Sequence, residues 1–366
     1  MPLAPSLRLT IAALALAALA CKTSQPDSTP PGEVIGIDDD KLPERPPIER
    51  SGELMATGQN AEALAVLDEA LKSTPNDVEL LYARGIALEQ LGKPQDAITA
   101  WQAAVQQKPD FFPALNGIGA IQLDAGQAAE AVVSFTAAIA AKPDFADAHY
   151  NLGRAHRVLG DATAARASLE TANRLAPEDV DVLLALTDLH RDAGRTDDAL
   201  LTARAAAKLA PNDAEARRTL GHVLMEKDLH AEAQAEFAAS LAQRPDDVDA
   251  KLGLARALVK QDRAEEALVP LADLAARVPD QPVIWSEWGA ALAKLGRVPG
   301  PEGALAKLDK ALQLRPDLAS ANIRKIGALA DTRQCKPARE ALKSFAARKP
   351  KAEALAQAQA ALTACK

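Results

Sequence analysis

Pro75, Pro109, Pro143, Pro177, Pro211, Pro245 and Pro279 follow one another at intervals of 34 residues; Pro316 comes 37 residues later and Pro350 a further 34. A fixed interval of this length marks a stacked repeat array, in which each unit buries its apolar face only against its neighbours. Other residues keep the same time. Twelve residues before each proline stands an alanine, from Ala63 to Ala338. Seventeen before stands Gly58, Gly92, Gly126, Gly160 or Gly194, then Asp228 and Asp262; twenty-four before stands Gly85, Gly119, Gly153 or Gly221. Small residues are needed where two helices approach closely. The glycine seventeen before the proline suits a left-handed helix end, and the proline stops the next helix by removing a donor and clashing with the preceding turn.

Between these marks the apolar spacing is helical. Leu80, Leu81, Ile86, Ala87 and Leu91 share one face of Val78–Gly92, and Ala97, Ile98, Trp101 and Val105 one face of Gln95–Lys108. Helix, short turn, helix, short turn, nine times over, reads as an all-α solenoid. The spans Leu80–Pro109 and His149–Pro177 carry the pattern nearly in full, and on these residues the chain resembles the tetratricopeptide repeat family over about residues 44–350. The resemblance implies a right-handed superhelical solenoid whose first helices line a concave, partner-binding groove. The first unit departs from the pattern with Ser51 at the early glycine place. The eighth carries an insert, Gly296–Gly303, and the last has Ile326 and Arg333 at the two glycine places. Atypical end units are expected of caps. Residues 351–366, with Leu355 and Leu362 at helical spacing, read as one further capping helix.

The start of the chain lies outside this rhythm. Arg8 precedes an apolar run from Leu9 to Ala20, too short to span a bilayer comfortably and of signal-peptide length. The run ends at Ala18-Leu19-Ala20-Cys21, which resembles the bacterial lipoprotein processing site. That implies removal of residues 1–20, palmitate-type lipid on Cys21 and, with Lys22 following, outer-membrane sorting facing the periplasm. An ordinary cleaved signal with an incidental cysteine is the other reading. Residues 21–48 are rich in Pro, Asp, Ser and Gly and read as a disordered tether that gives the folded body reach.

Acidic residues outnumber basic ones, 50 to 42, and aromatics make up 3% of the chain. Neither a basic footprint nor stacking platforms for nucleic acid are therefore expected. Cys335 and Cys365 are placed by the repeat at one edge of the array. In an exported protein they read as a disulfide, with two buried thiols as the alternative. His149, His156, His190, His222 and His230 cluster in sequence but lack metal-ligand spacing, so packing is favoured over a metal. No nucleophile–base pair or phosphate loop is found; no catalysis, cofactor or small-molecule substrate is expected.

The resemblance assigns groove positions to Tyr82, Glu89, Asn116, Tyr150, Arg154, Arg157, Asp188, Arg191, Arg218 and His222. Arg154, Arg157, Arg191 and Arg218 would then form a basic stripe suited to an acidic segment or a terminal carboxylate. Alternatively, Asp147, Asp181, Asp188 and Asp192 on the same helices neutralise it. The function expected is a membrane-anchored interaction scaffold for a partner protein or peptide in envelope, pilus or secretion assembly. The alternative is a substrate-presenting subunit of a separate envelope enzyme.

Overall fold

In a computed structural model, residues 45–365 are described. The expected signal peptide, Cys21 and most of the expected tether lie outside the described residues. Of the tether's last residues, Pro47 and Ile48 already belong to the first helix, because proline at a helix start loses no hydrogen bond and its fixed φ matches the helix.

Nineteen α-helices and no strand are found among the described residues. They are α1 (Pro47–Ala56), α2 (Asn60–Ser73), α3 (Val78–Gln90), α4 (Pro94–Gln107), α5 (Phe112–Asp124), α6 (Ala128–Ala141), α7 (Ala146–Val158), α8 (Ala162–Leu175), α9 (Val180–Asp192) and α10 (Thr196–Leu209). There follow α11 (Ala214–Glu226), α12 (His230–Gln243), α13 (Val248–Lys260), α14 (Ala264–Arg277), α15 (Pro282–Lys294), α16 (Ala304–Leu314), α17 (Ala319–Asp331), α18 (Cys335–Ala347) and α19 (Ala352–Ala360), then a 3₁₀ turn, Thr363–Cys365. Odd-numbered helices up to α17 open a repeat and even-numbered ones close it. The chain divides within α9 into two compact units, one ending at Ala185 and the other starting at Leu186.

Every turn inside a repeat is built alike. Gly58, Gly92, Gly126, Gly160, Gly194, Asp228, Asp262, Gly296 and Arg333 all have φ between 57° and 79°. In each, the residue after the left-handed one donates its N–H to a carbonyl five residues back, as Lys93 does to Leu88 and Gln334 to Leu329. This bond satisfies a helix-end carbonyl that would otherwise lack a partner. The left-handed geometry survives in the three units that have lost glycine. The 37-residue step is absorbed here too: Gly296 closes α15, Val298 of the insert is buried, and Glu302 pairs with Lys307 at 2.6 Å.

The period prolines do more than stop helices. Three side chains six residues further on donate to the proline's carbonyl, Arg217 to Pro211 at 2.9 Å, Trp285 to Pro279 at 2.8 Å and Asn322 to Pro316 at 3.1 Å, whereas Lys251, six after Pro245, turns to Asp273. A ring nitrogen of His149 meets the Pro143 carbonyl at 2.9 Å in the same way. Two residues after the proline, Asp77, Asp179, Asp213 and Asp247 accept backbone N–H groups and cap the helix that follows.

The core is a set of size-matched pairs. In the second, third, fourth and sixth repeats a side chain eight residues before the proline packs against the glycine twenty-four before it; in the eighth the insert moves that partner to Gly289, against Leu308, and in the ninth Phe345 is the large residue buried with Ile326. A Cβ added to Gly85 would lie 2.1 Å from Trp101, one on Gly119 2.6 Å from Phe135, and one on Gly221 2.8 Å from Phe237. Trp101 and Phe237 also press on the next repeat, at Gly117 and Gly253. In the fifth repeat both members change together: Thr187 replaces the glycine and Ala203 the large residue, and both are fully buried.

In unit 1, consecutive helices pack from α1 to α8, and α1 touches α3 as α5 touches α7. In unit 2, consecutive helices pack from α10 to α19, and α11 touches α13, α13 touches α15 and α15 touches α17. Those side-by-side contacts join opening helices, so each unit presents a layer of them. The helix α19 packs on α17 and α18, where Ala358 is buried with Ile326 and Phe345. The capping segment is helical only to Ala360; the 3₁₀ turn then brings Cys365 back to Cys335, the first residue of α18. These two form a disulfide with Cα atoms 5.3 Å apart.

Candidate functional site: the opening-helix faces

In unit 1, the face of α3, α5 and α7 carries Tyr82, Glu89, Asn116, Tyr150, Arg154 and Arg157. Tyr82 is half-buried, its ring edge-on to Phe111 with centroids 5.4 Å apart, and its backbone carbonyl accepts from Trp101 Nε1 at 3.0 Å. Burial, and then the charges of Glu89 and Asp147, push its phenol above the ordinary tyrosine range. Asn116 is buried, and its Oδ1 accepts from Asn151 Nδ2 at 3.1 Å, which joins α5 to α7. The guanidinium of Arg154 donates weakly to Asn151 Oδ1 at 3.4 Å and lies over the Tyr150 ring at 5.7 Å. Arg157 is exposed.

Two acids of this face, Asp147, one of the expected neutralisers, and Glu89, an expected groove position, are held toward the neutral form. Burial pushes the Asp147 carboxyl up, and Asp179 adds to the effect. Burial and then the Asp124 charge push Glu89 up to about 7. Desolvation disfavours the charged form, and a neighbouring like charge does the same.

In unit 2, the remaining expected arginines are engaged. Arg191 donates through Nε and Nη2 to Glu226 Oε1 at 2.9 and 2.7 Å, with Asp188 at 3.7 Å. Arg218 lies within 3.5–3.9 Å of Glu215, Asp247 and Asp249. A ring nitrogen of His222 meets Asp249 Oδ2 at 2.9 Å, and its hydrogen bond, ahead of other causes, lowers the Asp249 carboxyl. The charges of Arg191 and Arg218 are thus balanced, mostly by acids one repeat downstream rather than on their own helices. The same face holds a network that sequence reasoning missed. The buried Glu287 accepts from Arg256 Nε at 2.9 Å and from Arg324 Nη2 at 2.8 Å, which joins α13, α15 and α17. The signal for these pairs is arithmetic: an acid and a base 31–37 residues apart, one per neighbouring opening helix.

The histidines serve separate purposes. His149 and His222 bond as described, His190 is buried, and His230 lies 3.6 Å from Asp228. No group of three or more His, Cys, Asp or Glu side chains that could hold a metal occurs among the described residues. No described helix is long and apolar enough to cross a membrane.

Stacked helix pairs, closed by the same turn and spaced by the same proline, define a helical-repeat protein of the binding-scaffold class. Tetratricopeptide repeat models match residues 53–110, the overlapping spans 122–189 and 159–223, and residues 224–295. The chain belongs to the tetratricopeptide repeat family, whose folds bind protein or peptide partners. No curated protein matches it by sequence. Among solved structures it is similar to the Cut9–Hcn1 hetero-tetramer of the APC/C, with 17% identity over 77% of this chain and a TM-score of 0.56. It spans 55% of that chain, about half its length. It is also similar to PilF of Pseudomonas aeruginosa, with 16% identity over 56% of this chain and 93% of that one and a TM-score of 0.52. YrrB, a TPR protein with an unusual peptide-binding site, matches at 20% identity over 61% and 96% of the two chains with a TM-score of 0.42. Identities of this order show the fold.

Proposed function

We propose that the protein is a non-enzymatic interaction scaffold of a bacterial cell envelope. Lipid on Cys21 anchors it to the outer membrane on the periplasmic side, and the residues that follow serve as a tether. The opening-helix faces hold a partner protein or peptide during envelope, pilus or secretion assembly. The observation that carries the binding role is the division of labour within each repeat. The size-matched pairs hold the stack together, while Tyr82, Tyr150 and Arg154 stand half-buried on the opening-helix face of unit 1. Aromatic and arginine side chains of this kind, set on a rigid surface, are the usual anchors of a protein interface. The disulfide between Cys335 and Cys365 supports an oxidising compartment, where such bonds persist.

The anchor is tested by metabolic labelling with palmitate in a bacterial host. Label should enter the wild-type chain and be lost on Cys21→Ala; an equally labelled variant refutes the anchor. The pathway is tested by purifying partners from cross-linked membranes. Enrichment of pilus or secretion components supports the assembly reading, whereas enrichment of a hydrolase or transferase in their place overturns it.

A further inference from the structure

Glu89 stands 14 residues after Pro75, and Asp124 stands 15 after Pro109. The equivalent places in the fifth and sixth repeats are Arg191, 14 after Pro177, and Glu226, 15 after Pro211. There the guanidinium of one opening helix donates twice to the carboxylate of the next, at 2.9 and 2.7 Å. Unit 2 therefore shows this ledge of the fold with its cation in place. Unit 1 has a carboxylate where the arginine would be, so two acids face the ledge and no cation stands there among the described residues. Neither the Glu89 nor the Asp124 side chain makes a hydrogen bond or ion pair among the described residues.

Both acids sit in the last turn of their helices, α3 and α5, and neither last turn contains a basic residue. The carbonyl end of a helix carries partial negative charge, so it adds to the field of the two carboxylates and favours a cation there. The charged group acting on Glu89 is Asp124 from α5; α1, α2 and α4 contribute none to its shift. The phenol of Tyr82, on α3 itself, is in turn raised by Glu89. Tyr82, Ile86 and Glu89 follow at helical spacing, so an aromatic ring leads along one face to the acid pair.

We propose that the Glu89–Asp124 ledge of unit 1 seats an arginine or lysine side chain of a partner segment bound along the opening-helix face. This rests on the scaffold reading and specifies the chemistry of its ligand. A cation there would restore the charge of Glu89, so binding near neutral pH releases a proton.

The test uses the full-length chain and three fluorescein-labelled peptides of equal length, built from Gly-Ser-Arg, Gly-Ser-Glu and Gly-Ser repeats, in fluorescence anisotropy at physiological salt. The arginine peptide should bind, and Glu89→Gln with Asp124→Asn should weaken it tenfold or more. Glu62→Gln with Asp96→Asn, which changes net charge equally on α2 and α4, should leave affinity unchanged. Glu89→Arg recreates the pair seen at Arg191 and Glu226, so it should raise the melting temperature while abolishing binding. Calorimetry in buffers of different ionisation enthalpy should show proton release at pH 7 in the wild type and none in Glu89→Gln. Binding to Glu89→Arg as tight as to the wild type, or an equal loss in the control pair, overturns the inference. Preference for the acidic or neutral peptide overturns it and leaves the scaffold reading standing. Binding of none of the three also overturns it, and the scaffold reading is then judged by cross-linking to a natural partner.

Discussion

At the scale of single residues, the periodicity is a record of volume. Glycine twenty-four before four of the prolines was legible as a place that must be small, but its reason lies in the side chain that fills the gap, and that pairing needs three dimensions. The Thr187–Ala203 exchange is the clearest case. Sequence reading sees a missing glycine, whereas the structure sees the bulk moved from one helix to the other. Ala203→Leu alone overpacks the site and should destabilise by about 1–3 kcal/mol. Adding Thr187→Gly should recover most of that loss, a coupling of at least about 1 kcal/mol in a double-mutant cycle read by chemical denaturation. Additive effects would show that the two positions do not share a cavity. Glu89 makes a second residue-scale prediction. Its folded-state carboxyl is raised to about 7 from the ordinary glutamate value of 4.5. A raised carboxyl binds its proton more tightly when folded, so its contribution to stability is full below about pH 4.5 and is lost as pH rises through about 7. Relative to Glu89→Gln, the wild type should therefore lose on the order of 2–3 kcal/mol between pH 4.5 and pH 8. A flat difference would contradict it.

At the scale of elements, the two helices bounded from apolar spacing, Val78–Gly92 and Gln95–Lys108, agreed with the structure to within one or two residues, because proline and the left-handed turn residue are local signals. The turn holds its geometry even with Asp228, Asp262 or Arg333 in place of glycine, since the surrounding hydrogen bonds over-determine it. What stayed hidden were the ion pairs between neighbouring elements. Arg191 finds Glu226 and Arg256 finds Glu287 across repeats, and a search confined to one helix places their partners wrongly. The last helix was legible in kind, but its end at Ala360 was set by the need to return Cys365 to Cys335. Replacing both cysteines by serine frees a loop of 30 residues and should destabilise this end by roughly 3 kcal/mol. Hydrogen exchange should then quicken in α17–α19 and stay unchanged in α3–α7; unaltered protection of α19 would show that packing alone holds the cap.

At the scale of the whole molecule, a repeat array spends its sequence signal on stacking, so family and fold stand out while the ligand does not. The opening-helix faces were legible as positions, but which charges are engaged on them was not: the arginines read as a stripe include two engaged by internal acids, and the groove acid Glu89 stands beside Asp124 with no cation among the described residues. The claim on which the account depends is that partners bind the opening-helix face of unit 1. A photo-cross-linking amino acid placed in living cells at Tyr150, on α7, should yield a discrete cross-linked partner, and one placed at the exposed Val133, on the closing helix α6, should yield none. A partner captured at Val133 and absent at Tyr150 would contradict the account.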